Sequence, residues 1–305
     1  MTDPSLPVSV VVAAWPDSAG LAGCLDSLER QGDGPVQLFV VSPLPPPAGF
    51  GRSRPAVHWL VAAPGALIPR LWSQGMAAAT GDVVAITTAH FVPAADWIAQ
   101  IRAAHRRLGS AGIGGPIDPP RGGSLGGWAT YFLRYSTGFI YHEEQSVPDL
   151  IGDNASYRRS ALQTHWESIR DGFWEPEFHR RVLAGGGTLT FVPGIRLTQT
   201  TSFGIARFCS QRLAHGRHFG RERIRGKSAF FRVAGIVLSP LIPLVLLAKI
   251  LVRLGHKPAY GWPFLACSPV LLLFIGSWSL GELWGYLGRA RPDGPAVGAP
   301  GHLSA

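Results

Sequence analysis

The chain has 305 residues and a formal charge of +9, with 46% hydrophobic but only 15% charged residues. That length holds one α/β domain of roughly 200–230 residues plus a smaller unit, and the apolar bias points to a part that sits in lipid. The charge invites a nucleic-acid reading, but many of the cations cluster at 207–232, directly before an apolar run, and no zinc spacing or RNA-binding signature accompanies them; no nucleic-acid partner is expected.

Three cysteines, Cys24, Cys209 and Cys267, are odd in number and far apart, which excludes a disulfide framework. The opening MTDPSLPVSVVVAAW has no basic stretch before its short apolar run and reads as a strand rather than a signal peptide. Residues 8–14 are a β-branched run, expected to be a strand buried on both faces. Helical spacing of Leu21, Cys24, Leu25 and Leu28 predicts a helix over 18–31. Strands follow at 36–41 and 57–62, a helix at 67–80 and a fourth strand at 82–87. This order predicts an α/β fold with a doubly wound, mostly parallel sheet and helices on both faces. Ligands of such sheets bind beyond the carboxyl ends of the strands, which here are Ala13-Ala14-Trp15, Ser42 and Thr88-Ala89-His90.

A further helix is expected over 92–108, a short strand near 112–117, and an aromatic, less regular stretch over 128–150. Residues 151–163 combine a Gly-Asp-Asn turn with a helix start, 174–184 read as a helix ended by three glycines, and 188–192 as a strand.

Residues 233–252 and about 263–284 are apolar runs long enough to cross a hydrocarbon core of roughly 30 Å. Trp262, Trp278, Trp284 and Tyr286 border the second. Between Arg207 and Arg232 eight Lys/Arg face one acidic residue. The positive-inside rule then puts both ends of a transmembrane helical hairpin in the cytoplasm and the connector 253–261 outside; a buried hairpin, or a shallow re-entrant one given Pro240 and Pro243, is the alternative. The expected organisation is an α/β domain over 1–226, two transmembrane helices within 227–290 and a disordered tail over 291–305.

Four stretches, VSVVVAAW with LAGCLDSLERQ, ATGDVVAITTAH with FVPAADW, GDNASYRRSAL and FWEPEFHRRVLAGGGTLTFVP, resemble in order and spacing the family-2 glycosyltransferases. The resemblance runs from about residue 8 to 225 and implies the GT-A nucleotide-sugar-binding fold. It also implies a hexosyltransferase-like enzyme of a bacterial inner membrane, with a cytoplasmic catalytic domain and a multi-pass anchor. Such an enzyme moves a sugar from a nucleotide-sugar donor to a lipid-linked or cell-envelope glycan acceptor, inverting the anomeric configuration. Where the family has Asp-x-Asp to hold a divalent metal against the donor diphosphate, this chain has Thr88-Ala89-His90. Mg²⁺ binding should weaken there, while His90 remains a candidate ligand for Mn²⁺ or a hydrogen-bond donor to phosphate. Ser42 stands where acidic residues commonly read the nucleotide. Asn154 falls in the loop near donor sugar and acceptor, or caps a helix. Matching the downstream residues places Glu175 in the slot of the general base, with Glu177 its neighbour. A helix N-terminus would keep the Glu175 pKa low unless burial opposes. The Gln-x-x-Arg-Trp of processive members is absent, and Arg217, among the basic residues there, is a candidate for donor phosphate or lipid headgroups. The alternative is a catalytically degenerate membrane protein of this fold that binds a sugar nucleotide or a protein partner.

Overall fold

The computed structural model describes residues 6–15, 20–32, 37–120, 123–201 and 204–288. It divides into two compact units: residues 1–203 with Val252–Cys267, and 204–251 with the chain from Ser268 on.

The first unit opens with β1 (Val8–Ala13), in which every residue is buried. Helix α1 (Leu21–Glu29) buries Cys24, Leu25 and Leu28, as their spacing predicts. Then come β2 (Gln37–Ser42), a one-turn helix α2 (Phe50–Ser53), β3 (Val57–Val61), α3 (Ile68–Ala78) and β4 (Val83–Thr88). Pro69 sits in the first turn of α3, where its missing N–H costs nothing. Leu71, Trp72 and Met76 of α3 join Val11, Phe39, Val41 and Ile86 of the sheet in one apolar core. Next follow β5 (Phe91–Pro93), α4 (Trp97–Arg107), β6 (Gly112–Gly114), β7 (Ile117–Asp118), α5 (Leu125–Tyr135), β8 (Gln145–Ser146) and β9 (Ala155–Arg158). The unit continues with α6 (Arg159–Thr164), α7 (Trp166–Ile169), α8 (Glu175–Ala184), β10 (Leu189–Phe191) and β11 (Leu197–Gln199).

Eight strands form the main sheet in the order β3-β2-β1-β4-β9-β6-β10-β8. The first four run parallel, β9 lies antiparallel between β4 and β6, and β10 returns parallel to β6. A second sheet, β5-β11-β7, holds three strands. The expected α/β fold with a mostly parallel sheet is therefore what forms, and the tips of β1, β2 and β4 emerge side by side.

Three expectations need correction. The helix expected from residue 92 starts only at Trp97, because Phe91–Pro93 pairs antiparallel with β11. The Gly-Asp-Asn turn leads into strand β9, and α6 starts after it with Arg158 as its N-cap, so Asn154 caps no helix. The connector 253–261, expected on the far side of a membrane, is packed inside the first unit. Tyr260 rests against Trp128, Tyr131 and Phe139, and Phe264 against Phe132. The tail over 291–305 lies outside the described residues.

The second unit is helical. It contains α9 (Ile205–Ile224), α10 (Ala229–Leu238), the greater part of α11 (Ile242–Leu254) and of α12 (Gly261–Leu287). Pro240 sits in a 3₁₀ turn over Ser239–Leu241 between α10 and α11, while Pro269 is accommodated within α12. Ala229–Leu254 and Pro258–Leu287 are long and apolar enough to cross a membrane. Phe230, Val237, Leu244 and Leu272 expose large apolar side chains; a face of this kind marks association with a membrane.

Candidate donor and acceptor site

Backbone hydrogen bonds lace the strand tips together. Ala14 N donates to Val41 O at 2.9 Å and Ala89 N to Ala13 O at 3.0 Å. Ser42 closes β2 and is buried, and its Oγ accepts from Leu44 N at 3.2 Å. Thr88 closes β4 with 2% of its surface exposed, and its Oγ has no hydrogen-bond partner within the fold. A buried hydroxyl left in that state is costly unless something outside the protein satisfies it. His90 follows. Its Nδ1 lies 3.0 Å from Thr201 Oγ1, and its carbonyl accepts from Thr200 N.

Residues 152–154 form a 3₁₀ turn packed against β4. The register of β9 pairs Ala155 with Ile86. One step further along, the turn lies beside Thr87 and Thr88, so it stands at the carboxyl end of β4. Asp153 is buried; its Oδ2 accepts from Tyr135 Oη at 3.0 Å and from the Arg134 guanidinium, while Oδ1 has no partner within the fold.

Glu175 opens α8, whose first turn also holds Pro176 and Glu177. Its carboxylate lies against Gly152: a Cβ on that glycine would stand 2.1 Å from Glu175 Oε1. Burial drives the Glu175 pKa up to about 7, the charges of Asp153 and Asp149 add to this, and a backbone N–H and Arg134 oppose it. Desolvation thus outweighs the helix terminus, which alone would have kept the group acidic. Glu177, two residues on, pairs instead with Arg181 at 2.8 Å on the partly exposed side of the helix.

The Gly-Asp-Asn turn therefore links the β4 tip, with its unsatisfied hydroxyl, to a half-buried carboxylate of raised pKa. Asn154 serves the turn itself and not a ligand. Its Oδ1 accepts from Trp97 Nε1 at 2.9 Å, and its Nδ2 donates to Pro116 O at 2.9 Å and Ile195 O at 2.8 Å. It is fully buried with both donors engaged, so it has no N–H left for a sugar hydroxyl. Arg217 is exposed on α9 in the second unit.

Sequence reasoning missed a second line of groups behind Glu175. Tyr157 Oη lies 2.9 Å from His179 Nε2, and His179 Nδ1 meets Asp149 Oδ1. His179 stands one turn beyond Glu175 on α8, an i+4 spacing that is visible in the sequence. Arg134 on α5 carried no signal, because its partner Asp153 is 19 positions away.

Thr88 and His90 do not by themselves make a divalent-cation site. They offer a neutral hydroxyl and an imidazole with one nitrogen already engaged, where Mg²⁺ or Mn²⁺ favours carboxylate oxygens. Among the described residues no group of three or more His, Cys, Asp or Glu side chains converges to hold a metal. A cavity of about 420 Å³ lies on the small sheet, lined by Val92, Ala94, Asp118, Arg196 and Thr200, and none of the expected site residues lines it.

In a doubly wound, mostly parallel sheet the carboxyl ends of the strands, here the tips of β1, β2 and β4, are where ligands bind. Residues 70–166, which include Thr88, His90 and the Gly-Asp-Asn turn, match the model of glycosyl transferase family 2. The fold is similar to the mannosyltransferase PcManGT from Pyrobaculum calidifontis, solved in complex with GDP-Man and Mn2+, at a TM-score of 0.51 and 15% identity over 91% of this chain and 87% of that one. It is also similar to GalNAc-T7 with UDP, GalNAc and Mn2+, at a TM-score of 0.50 and 17% identity over 66% of this chain and 45% of that one. No curated protein matches the chain by sequence. Fold and family match together support a glycosyltransferase.

Proposed function

We propose that the chain is an inverting glycosyltransferase acting on a membrane-associated acceptor, with Glu175 as the general base. The observation that carries this reading is the Glu175 carboxylate, seated on Gly152 beside the β4 tip with its pKa raised to about 7. A base tuned near neutral pH is both available in its ionised form and basic enough to take a hydroxyl proton. The donor's nucleoside diphosphate occupies the strand tips, where Ser42, Thr88 and His90 supply hydrogen bonds. The acceptor oxygen attacks the anomeric carbon from the face opposite the phosphate as its proton passes to Glu175. The new C–O bond forms while the bond to phosphate breaks, and that electron pair leaves with the nucleoside diphosphate. One displacement inverts the anomeric centre. Asp153, within that turn and held by Arg134 and Tyr135, fixes its shape.

Nucleotide-sugar binding is further supported by the two similar solved structures, one in complex with GDP-Man and Mn2+ and one with UDP, GalNAc and Mn2+. Thr88 and His90 alone offer a divalent metal one hydroxyl and one imidazole, so hydrogen bonds carry the larger share of holding the diphosphate. The apolar helices and the basic run at 207–232 support a position on the cytoplasmic face of an inner membrane, where a lipid-linked or envelope-glycan acceptor would be met. The replaced Asp-x-Asp motif favours a second reading, a degenerate member that binds a sugar nucleotide without turnover.

A panel of nucleotide sugars, with and without Mn²⁺, tests both readings by protection from thermal unfolding and by release of nucleoside diphosphate. At least one donor should raise the melting temperature and be turned over, with little gain from the metal. Protection without turnover in the presence of acceptor lipids would favour the degenerate reading. No protection by any donor would contradict both.

A further inference from the structure

We infer that the two long apolar helices do not cross the bilayer: they lie in a single leaflet, with the connector between them on the same side as the catalytic unit, and the partner of their exposed face is an anionic lipid surface. The connector settles the first half. A spanning hairpin with its connector outside would separate residues 253–261 from a cytoplasmic catalytic unit by a hydrocarbon core of about 30 Å. Instead, the Tyr260 ring lies 5.7 Å from both Trp128 and Phe139, and Phe264 lies 5.3 Å from Phe132, all centre to centre. Arg253 donates to Ser136 Oγ at 3.3 Å. The connector is part of the unit that carries the site.

The inverted arrangement, with the connector on the catalytic side and the far ends across the membrane, fails on α9. That helix starts directly after the first unit and delivers the chain to α10, so it would have to cross as well. It is locked alongside α12 in parallel. Phe208 packs on Phe274, and Gly216, Gly220, Gly281 and Gly285 bring the two backbones together so closely that a Cβ on Gly281 would stand 2.2 Å from Leu213 O. Yet α9 carries Arg207, Arg212, Arg217, Arg221 and Arg223. Arginines at that density are a steep barrier to insertion across a bilayer. One of them, Arg223, reaches the fully buried Glu282 of α12, which also accepts from Trp278 Nε1 at 3.0 Å.

A helical unit with a basic helix bound to apolar ones is built for an interface plane. Phe230, Val237, Leu244 and Leu272 supply the face for acyl chains, and Arg217, Arg221, Arg225 and Lys227, all exposed, supply cations for anionic headgroups.

The test is side-specific labelling of the full chain by a membrane-impermeant maleimide, in intact spheroplasts and in sealed inverted vesicles of a bacterial host. Single probes replace exposed residues in a Cys209→Ser background: Arg52→Cys in the catalytic unit, Ser228→Cys before α10 and Ala259→Cys in the connector. All three should label in the same preparation and stay unlabelled in the other until detergent is added. Labelling of position 228 or 259 in the preparation that leaves position 52 unlabelled would overturn the inference. The outcome is independent of whether the site turns over a sugar nucleotide.

Discussion

At the scale of single residues, the account rests on how one carboxylate is held. Glu175 has its pKa raised to about 7 because burial and two nearby carboxylates outweigh Arg134. The base form is the ionised one, so kcat should climb with pH through about 7 and level off above it. Folding shows the opposite sign. A carboxylate whose folded pKa lies above its unfolded value of about 4.3 stabilises the fold below that value and loses the contribution as pH rises through about 7. Glu175→Gln should therefore melt at a higher temperature than the parent at pH 8, and the difference should shrink as pH falls through about 7 and vanish only below about 4. Gly152→Ala tests the seating directly. A methyl group at that position meets the Glu175 carboxylate and must displace it. The variant should lose roughly 10-fold to 100-fold in kcat with little change in donor KM, as steady-state kinetics would report.

At the scale of elements, the parallel half of the sheet was legible because its signal is local. Six consecutive buried residues in β1 and in β4, mostly β-branched or apolar, read directly as strands buried on both faces. Strand β9 was not legible. Ala155–Arg158 is four residues long, mixes Ser and Arg with Ala and Tyr, and becomes a strand only because β4 and β6 flank it. The same tertiary context turned Asn154 from a candidate ligand into a clamp between Trp97, Pro116 and Ile195. Asn154→Ala should destabilise the domain by about 2–4 kcal/mol, since three buried polar partners lose their bonds; denaturant unfolding measures this. Glu175 was singled out by matching the residues downstream of it to the family's pattern, whereas Asp153, Arg134 and the Asp149–His179–Tyr157 line depend on contacts between distant segments.

At the scale of the molecule, the hydropathy pattern gave the two apolar runs correctly but not the packing of the connector between them. Window hydropathy and positive-inside counting see length and charge; they do not see that Tyr260 and Phe264 insert among the aromatic residues of α5 and its following turn. A site held at one membrane face meets a lipid-linked acceptor in two dimensions, which raises its effective concentration without any added contact. On the proposed reading, the basic and apolar faces of the helical unit and the carboxylate on Gly152 serve one reaction, transfer of a sugar at the bilayer surface. The most direct test is nucleoside diphosphate release by the full chain in anionic lipid, comparing the parent with Glu175→Gln on the donor that protects best. Loss of turnover by a factor of about 10²–10⁴ with donor protection retained is the predicted result; unchanged turnover in the glutamine variant would contradict it.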